Sequence, residues 1–154
     1  MKYEIVELEE KIVEGIEVKT TNENGKSIQD IANMWQTFFM QGIYEKIENK
    51  VNGKTIGLYT DYEKDYTKPY NFVVCTEVSE NSKNMENRVV KVIPKGKYAK
   101  FVIHGDVQNA VGQAWQEIWK MDLNRKYICD FEEYQNNSND MQNQEIHIYI
   151  AVED

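Results

Sequence analysis

The stretch Tyr98–Trp119, YAKFVIHGDVQNAVGQAWQEIW, changes its hydrophobic period once, and that change decides the fold. Tyr98–His104 reads as a strand. Gly105-Asp106 then supplies a turn and an acidic N-cap. After it, Val107, Ala110, Val111, Ala114, Trp115 and Ile118 recur at helical spacing. Strand-like runs follow at Tyr127–Tyr134 and Glu145–Val152, divided by the polar loop Gln135–Gln144 (QNNSNDMQNQ). Val89–Ile93 precedes as a strand, with Pro94 and Gly96 marking the turn into Tyr98.

The first half has the same order. Residues 2–8 and 11–20 alternate like strands, and Gly25-Lys26-Ser27 punctuates the chain. Ser27 and Asp30 are expected to cap a helix bearing Ile28, Ile31, Trp35, Phe38 and Phe39, which ends near Gly42. Strands are predicted at Thr55–Tyr62 and Tyr70–Ser79, and the polar run Glu80–Arg88 (ENSKNMENR) joins the halves. The match extends to residues. Trp35-x-x-Phe38-Phe39 parallels Trp115-x-x-Ile118-Trp119, with Ile31 matching Val111. Ile56-Gly57-Leu58-Tyr59-Thr60-Asp61-Tyr62 parallels Ile128-Cys129-Asp130-Phe131-Glu132-Glu133-Tyr134. These matches predict an internally duplicated β-α-β-β unit, against the alternative of two unrelated amphipathic units. One helix and a few strands bury too little to stand alone, so the units are expected to pair about an approximate two-fold axis and leave a groove at the seam.

A chain of 154 residues, 41% hydrophobic and 29% charged, makes one ordinary globular domain. Its formal charge of −8, from 18 Lys+Arg and 26 Asp+Glu, opposes nucleic-acid binding, which depends on basic residues replacing counterions. No apolar run approaches the ~20 residues of a membrane span. The start MKYEIVELEEKIVEG lacks the basic-then-apolar layout of a signal peptide. Cys75 and Cys129 sit in apolar stretches without CxxC spacing and read as reduced core thiols of a cytoplasmic protein. With His104 and His147 the only histidines, no metal site and no catalytic triad is expected; no phosphate loop or dinucleotide fingerprint is present.

Aromatics make up 12% of the chain, a high share for an acidic domain. Alternation in Tyr127–Tyr134 puts Ile128, Asp130, Glu132 and Tyr134 on one face and Cys129, Phe131 and Glu133 on the other. Glu132 beside Tyr134 suits a cationic aromatic ligand; the other reading is a solvated face. Glu145, His147, Tyr149 and Ala151 share a face of the last strand, so Tyr149 joins the surface of Glu132 if the strands pair that way. His147 reads as a half-exposed strand residue, and His104 as one that packs at a strand end. Trp35 and Trp115 face the sheet either as core rings or as two flanks of a shared groove.

Taken together the chain resembles the GyrI-like small-molecule-binding domain, the AraC-type effector-binding domain of bacterial multidrug-responsive transcription regulators. The resemblance rests on Trp35-x-x-Phe38, Ile56-Gly57-Leu58-Tyr59, Ile93-Pro94-x-Gly96-x-Tyr98-Ala99-x-Phe101 and His104-Gly105. It continues in Trp115-x-x-Ile118, Phe131-Glu132-x-Tyr134 and Glu145-Ile146-x-Ile148-Tyr149-Ile150. It implies one α+β domain over 1–154, of duplicated β-α-β-β units at 1–80 and 88–154, with pseudo-two-fold symmetry and a central ligand groove. It also implies binding of hydrophobic, often cationic, small molecules, with Glu132 as the pocket acid and Tyr149 as the terminal-strand tyrosine. Tyr134, Tyr59, Trp35 and Trp115 complete the expected walls. No cofactor, metal or catalytic residue is expected. Ala151 stands where the family commonly has Pro, and no helix-turn-helix precedes the domain, so the expectation is a stand-alone binder without direct nucleic-acid contact. Two alternatives come with the resemblance: a small hydrolase using Glu132, and a gyrase-inhibitor-like module for a protein partner.

Overall fold

Eight strands join one antiparallel sheet in the order β1-β6-β8-β7-β3-β4-β2-β5 in the computed structural model, which describes Met1–Asp154. The strands are β1 Glu4–Leu8, β2 Lys11–Thr20, β3 Thr55–Thr60, β4 Tyr70–Val78, β5 Val89–Ile93, β6 Gly96–Gly105, β7 Arg125–Tyr134 and β8 Gln144–Val152. The helices are α1 Lys26–Met40, the single turn α2 Ile43–Lys46, and α3 Val107–Lys120. The fold is α+β, and its strand order is a palindrome in kind. Strands β6-β8-β7 carry α3, strands β2-β4-β3 carry α1, and β3 meets β7 at the centre. The outermost strands are exchanged: β1 pairs with β6 of the second half, and β5 with β2 of the first.

Each sheet face has its own core, because alternation sends successive side chains to opposite sides. Away from the helices, Val13, Leu58, Val73, Tyr98, Phe131 and Tyr149 pack together. On the helix side there are two clusters. Phe101, Ala114, Ile118, Ile146, Ile148 and Ile150 gather under α3; Phe38, Phe72 and Val74 gather under α1. Between them the sheet centre is not covered by a helix.

Local chemistry explains the helix starts. Asp106 caps α3 as expected, its side chain accepting from the Asn109 N–H. Ser27 and Asp30 do not cap α1. The cap is Gly25, with left-handed φ of 71°, which only glycine adopts at little cost. Asp30 instead accepts from Thr20 Oγ1 at 2.7 Å and pairs with Lys26 Nζ at 2.5 Å, which is why its carboxyl lies below the usual range. The apolar stripe of α1 is also less buried than its period implies. Phe38 is fully buried, but Ile28 is 76% exposed, because this end of the helix borders a cavity rather than packed side chains.

The paired windows around Tyr59 and Phe131 are out of phase. Tyr59 lies on the helix side with Gly57, whereas Phe131 lies on the opposite side with Leu58. A correspondence one residue off reverses every facing, so that stretch of the sequence match does not describe equivalent positions. The helix match does: Phe38 and Ile118 are both buried, and Trp35 and Trp115 both reach the space between the helices.

Candidate functional site

A cavity of about 820 Å³ occupies the uncovered sheet centre. Ile28, Ile31 and Trp35 of α1 form one wall, and Val107, Val111, Trp115 and Trp119 of α3 the other. Tyr59, Glu132 and Tyr134 form the floor, and Tyr62, Tyr66 and Arg125 close one end. Its walls come from both halves of the chain.

Glu132 is the central acid and is 1% exposed. β7 alternation aims it at the helices, and its register partner on β3 is Gly57. A Cβ on Gly57 would meet Glu132 Oε1 at 3.0 Å and the Phe72 ring at 3.2 Å, so the bare glycine gives the carboxylate its room. Three rings donate to that carboxylate. Tyr59 Oη and Trp115 Nε1 each reach Oε2 at 2.6 Å, and Tyr134 Oη reaches Oε1 at 2.8 Å. Burial pushes the Glu132 carboxyl above its ordinary range, and these three donors pull it partly back. Burial and the adjacent acid raise Tyr59 and Tyr134 well above the usual phenol range, which keeps both as donors.

The rings also brace one another. Tyr59 and Trp115 approach with centroids 5.0 Å apart, and Trp35 meets Tyr134 edge-on at 5.0 Å. Five of the six residues expected at the site, Glu132, Tyr134, Tyr59, Trp35 and Trp115, therefore line one cavity. Tyr149 does not. The β7–β8 register pairs it with Phe131, on which it stacks at 4.7 Å, so it points to the sheet face away from the helices. Glu132 pairs with Ile148 instead. Alternation within β8 could not choose between these registers. His147 is half-buried and bonds Glu145 at 2.6 Å, while His104 is exposed on β6 rather than packed. Cys75 and Cys129 are free and buried.

Sequence reading missed Arg125 and Asp130 as a pair. Five residues apart, they belong on opposite faces of a regular strand. Here β7 bulges between them, with Tyr127 at a left-handed φ of 56° and Ile128 turned outward. The bulge brings Arg125 Nη2 to 2.7 Å from Asp130 Oδ2, where Tyr62 Oη also donates at 2.6 Å. Asp130 Oδ1 accepts from the Ala151 N–H. No local sequence signal announces the bulge.

An aromatic cavity with a buried carboxylate held by three hydrogen bonds, walled by two helices over an antiparallel sheet, defines a ligand-binding domain of the GyrI-like effector-binding type. The chain belongs to the family of Cass2 integron-associated effector binding proteins, whose sequence profile matches residues 4–152. It is similar to the integron cassette protein from the mobile metagenome of Vibrio cholerae: 28% identity, TM-score 0.75, covering 98% of this chain and 95% of that one. SAV2435, solved bound to tetraphenylphosphonium, shares the fold at TM-score 0.80 and 23% identity, covering 99% of this chain and 94% of that one. In Bacillus subtilis (strain 168), YobU, provisionally described as a transcriptional regulator protein, is 27% identical over 124 residues, 77% of each chain. No helix is long and apolar enough to cross a membrane.

Proposed function

We propose that the protein binds amphipathic cationic small molecules between α1 and α3, with Glu132 as counter-charge and Tyr59, Tyr134, Trp35 and Trp115 as ring contacts. The observation that carries this is a carboxylate buried on the floor of an aromatic cavity large enough for a drug-sized molecule. A desolvated cation against rings gains about 2 kcal/mol or more per favourable face, and low local dielectric strengthens its attraction to Glu132. The carboxylate's bonds to three rings hold its charge in place without a fixed salt-bridge partner. Around Glu132 the site reads charge and bulk, which suits ligands of varied shape. SAV2435 with its phosphonium ligand supports the same reading by shared fold.

On this reading the chain senses or sequesters its ligand in the cytoplasm through a binding domain of two units, 1–80 and 88–154. The hydrolase alternative needs a Glu132 oxygen free to take a proton from water, and three ring donors already compete for those lone pairs. The gyrase-inhibitor-like alternative is disfavoured because it needs no cavity, and an 820 Å³ one is present.

The test is titration with tetraphenylphosphonium followed by tryptophan fluorescence, since Trp35, Trp115 and Trp119 all line the cavity. Saturable quenching is expected. Glu132→Gln should weaken binding tenfold or more, whereas Glu133→Gln, whose side chain faces Gln135 and Lys54, should change it little. Equal losses in the two variants, or no saturable quenching, would reject the reading.

A further inference from the structure

Arg125 is the second charged group in the cavity wall, and its side chain is only 4% exposed. Of its guanidinium nitrogens, Nη2 is paired with Asp130, but the buried Nε and Nη1 have no hydrogen-bond partner in the protein. Leaving a buried donor unpaired is unfavourable, and more so when it is charged. Tyr127, which is not part of the cavity wall, backs the guanidinium at 4.3 Å. Trp115 and Tyr66, which do line the cavity, lie 5.9 and 6.0 Å from its central carbon. Trp115 thus lies beside both charges. It donates to Glu132 and flanks Arg125, which sets the acceptor and the donor one indole apart along the cavity.

We propose that the site has two poles, and that its ligand carries, besides the positive centre set against Glu132, an uncharged acceptor oxygen of the carbonyl class that accepts from Arg125 Nε–H or Nη1–H. The inference rests on the cation-binding reading above and adds the second half of the ligand. An anionic group fits less well, because the guanidinium already neutralises Asp130 and a further carboxylate would share it against like charge. A carbonyl oxygen accepts from a guanidinium without adding a third charge, and charge-assisted bonds of this kind are the stronger class. An acceptor reaches these donors only if a ring beside Arg125 shifts, and of the three Tyr66 is the one carried by a loop rather than by a strand or helix. It sits between β3 and β4 and rests on Trp119 by ring stacking at 5.3 Å.

The probes are two triphenylphosphonium cations that differ in one atom pair: para-acetylphenyl, with a carbonyl, and para-isopropenylphenyl, its shape match with CH2 in place of oxygen. Calorimetry on the full chain should show the acetyl compound bound about tenfold or more tightly than its match. Arg125→Lys keeps a cation beside Asp130 but removes the guanidinium donors, and should bring the ratio to about one. If that variant does not fold, Arg125→Met/Asp130→Asn removes both charges together while leaving an acceptor for Ala151 N–H, and should do the same. Reading the ratio within each variant cancels changes common to both probes. Equal binding of the two probes by the unaltered protein, or a preference that survives either variant, overturns the second pole, as does satisfaction of these donors by bound water that persists with the acetyl probe in place. Loss of Glu132-dependent tetraphenylphosphonium binding would overturn the cation site and this inference with it. Intact tetraphenylphosphonium binding without an acetyl preference would overturn only the Arg125 pole.

Discussion

At the scale of the residue, Glu132 decides how the molecule responds to pH. Its folded-state carboxyl titrates above the ordinary 4.5 because burial outweighs three ring donors. In the window from there up to the raised value, the native state holds a proton that the unfolded chain has lost. Stability contributed by this group is therefore present at low pH and declines as pH rises through the window. The unfolding free energy of the unaltered protein minus that of Glu132→Gln should fall across this interval and level off above it, as measured by urea denaturation at a series of pH values. A cation requires the ionised form, so tetraphenylphosphonium affinity should move the other way, weakening as pH is lowered into the window. Calorimetry in buffers of different ionisation enthalpy should then detect proton release on binding. Affinity that stays flat down to pH 4.5 would show that Glu132 is not the counter-charge.

At the scale of the element, β3 and β7 form the floor, and the bare backbone of Gly57 is what lets them carry an acid. Gly57→Ala places a methyl 3.0 Å from Glu132 Oε1 and 3.2 Å from Phe72. Overpacking of this kind costs roughly 1–3 kcal/mol, and the displaced carboxylate loses alignment with its ring donors. Lower thermal stability together with weaker phosphonium binding is expected. A variant that keeps full affinity would show that the carboxylate position is not critical. Alternation in β7 was legible for Asp130, Glu132 and Tyr134, all buried on one side, because period 2 is local backbone geometry. Ile128 fell outside the pattern, 46% exposed, because the bulge ends the regular strand there. Tyr149 turns away from Glu132 for a related reason. Its own strand alternates as expected, but which of its faces meets Glu132 depends on a register that no residue within β8 reveals.

At the scale of the whole molecule, the exchanged edge strands bind the halves together. β1 completes the sheet of the second half and β5 that of the first, and Arg88, just ahead of β5, pairs at 2.9 Å with the fully buried Glu14 of β2. Neither half keeps its own edge, so the two are expected to unfold as one. Far-ultraviolet circular dichroism and tryptophan fluorescence should give coincident denaturant transitions, and separated transitions would show independent units. The cavity has the same origin. Each half packs its own helix over its own strands, and the junction strands β3 and β7 are left without a helix above them.

The element order, the paired helices with their tryptophans, and the facing of Glu132 and Tyr134 are all written locally in the chain, since each depends on periods spanning only a few neighbouring residues. Folding in three dimensions is what makes β1 and β5 change places, turns Tyr149 away from Glu132, and through a bulge pairs Arg125, at the end of the same cavity, with Asp130. Those outcomes depend on which strands pair and in what register, and the pairing energy comes from residues far apart in the chain.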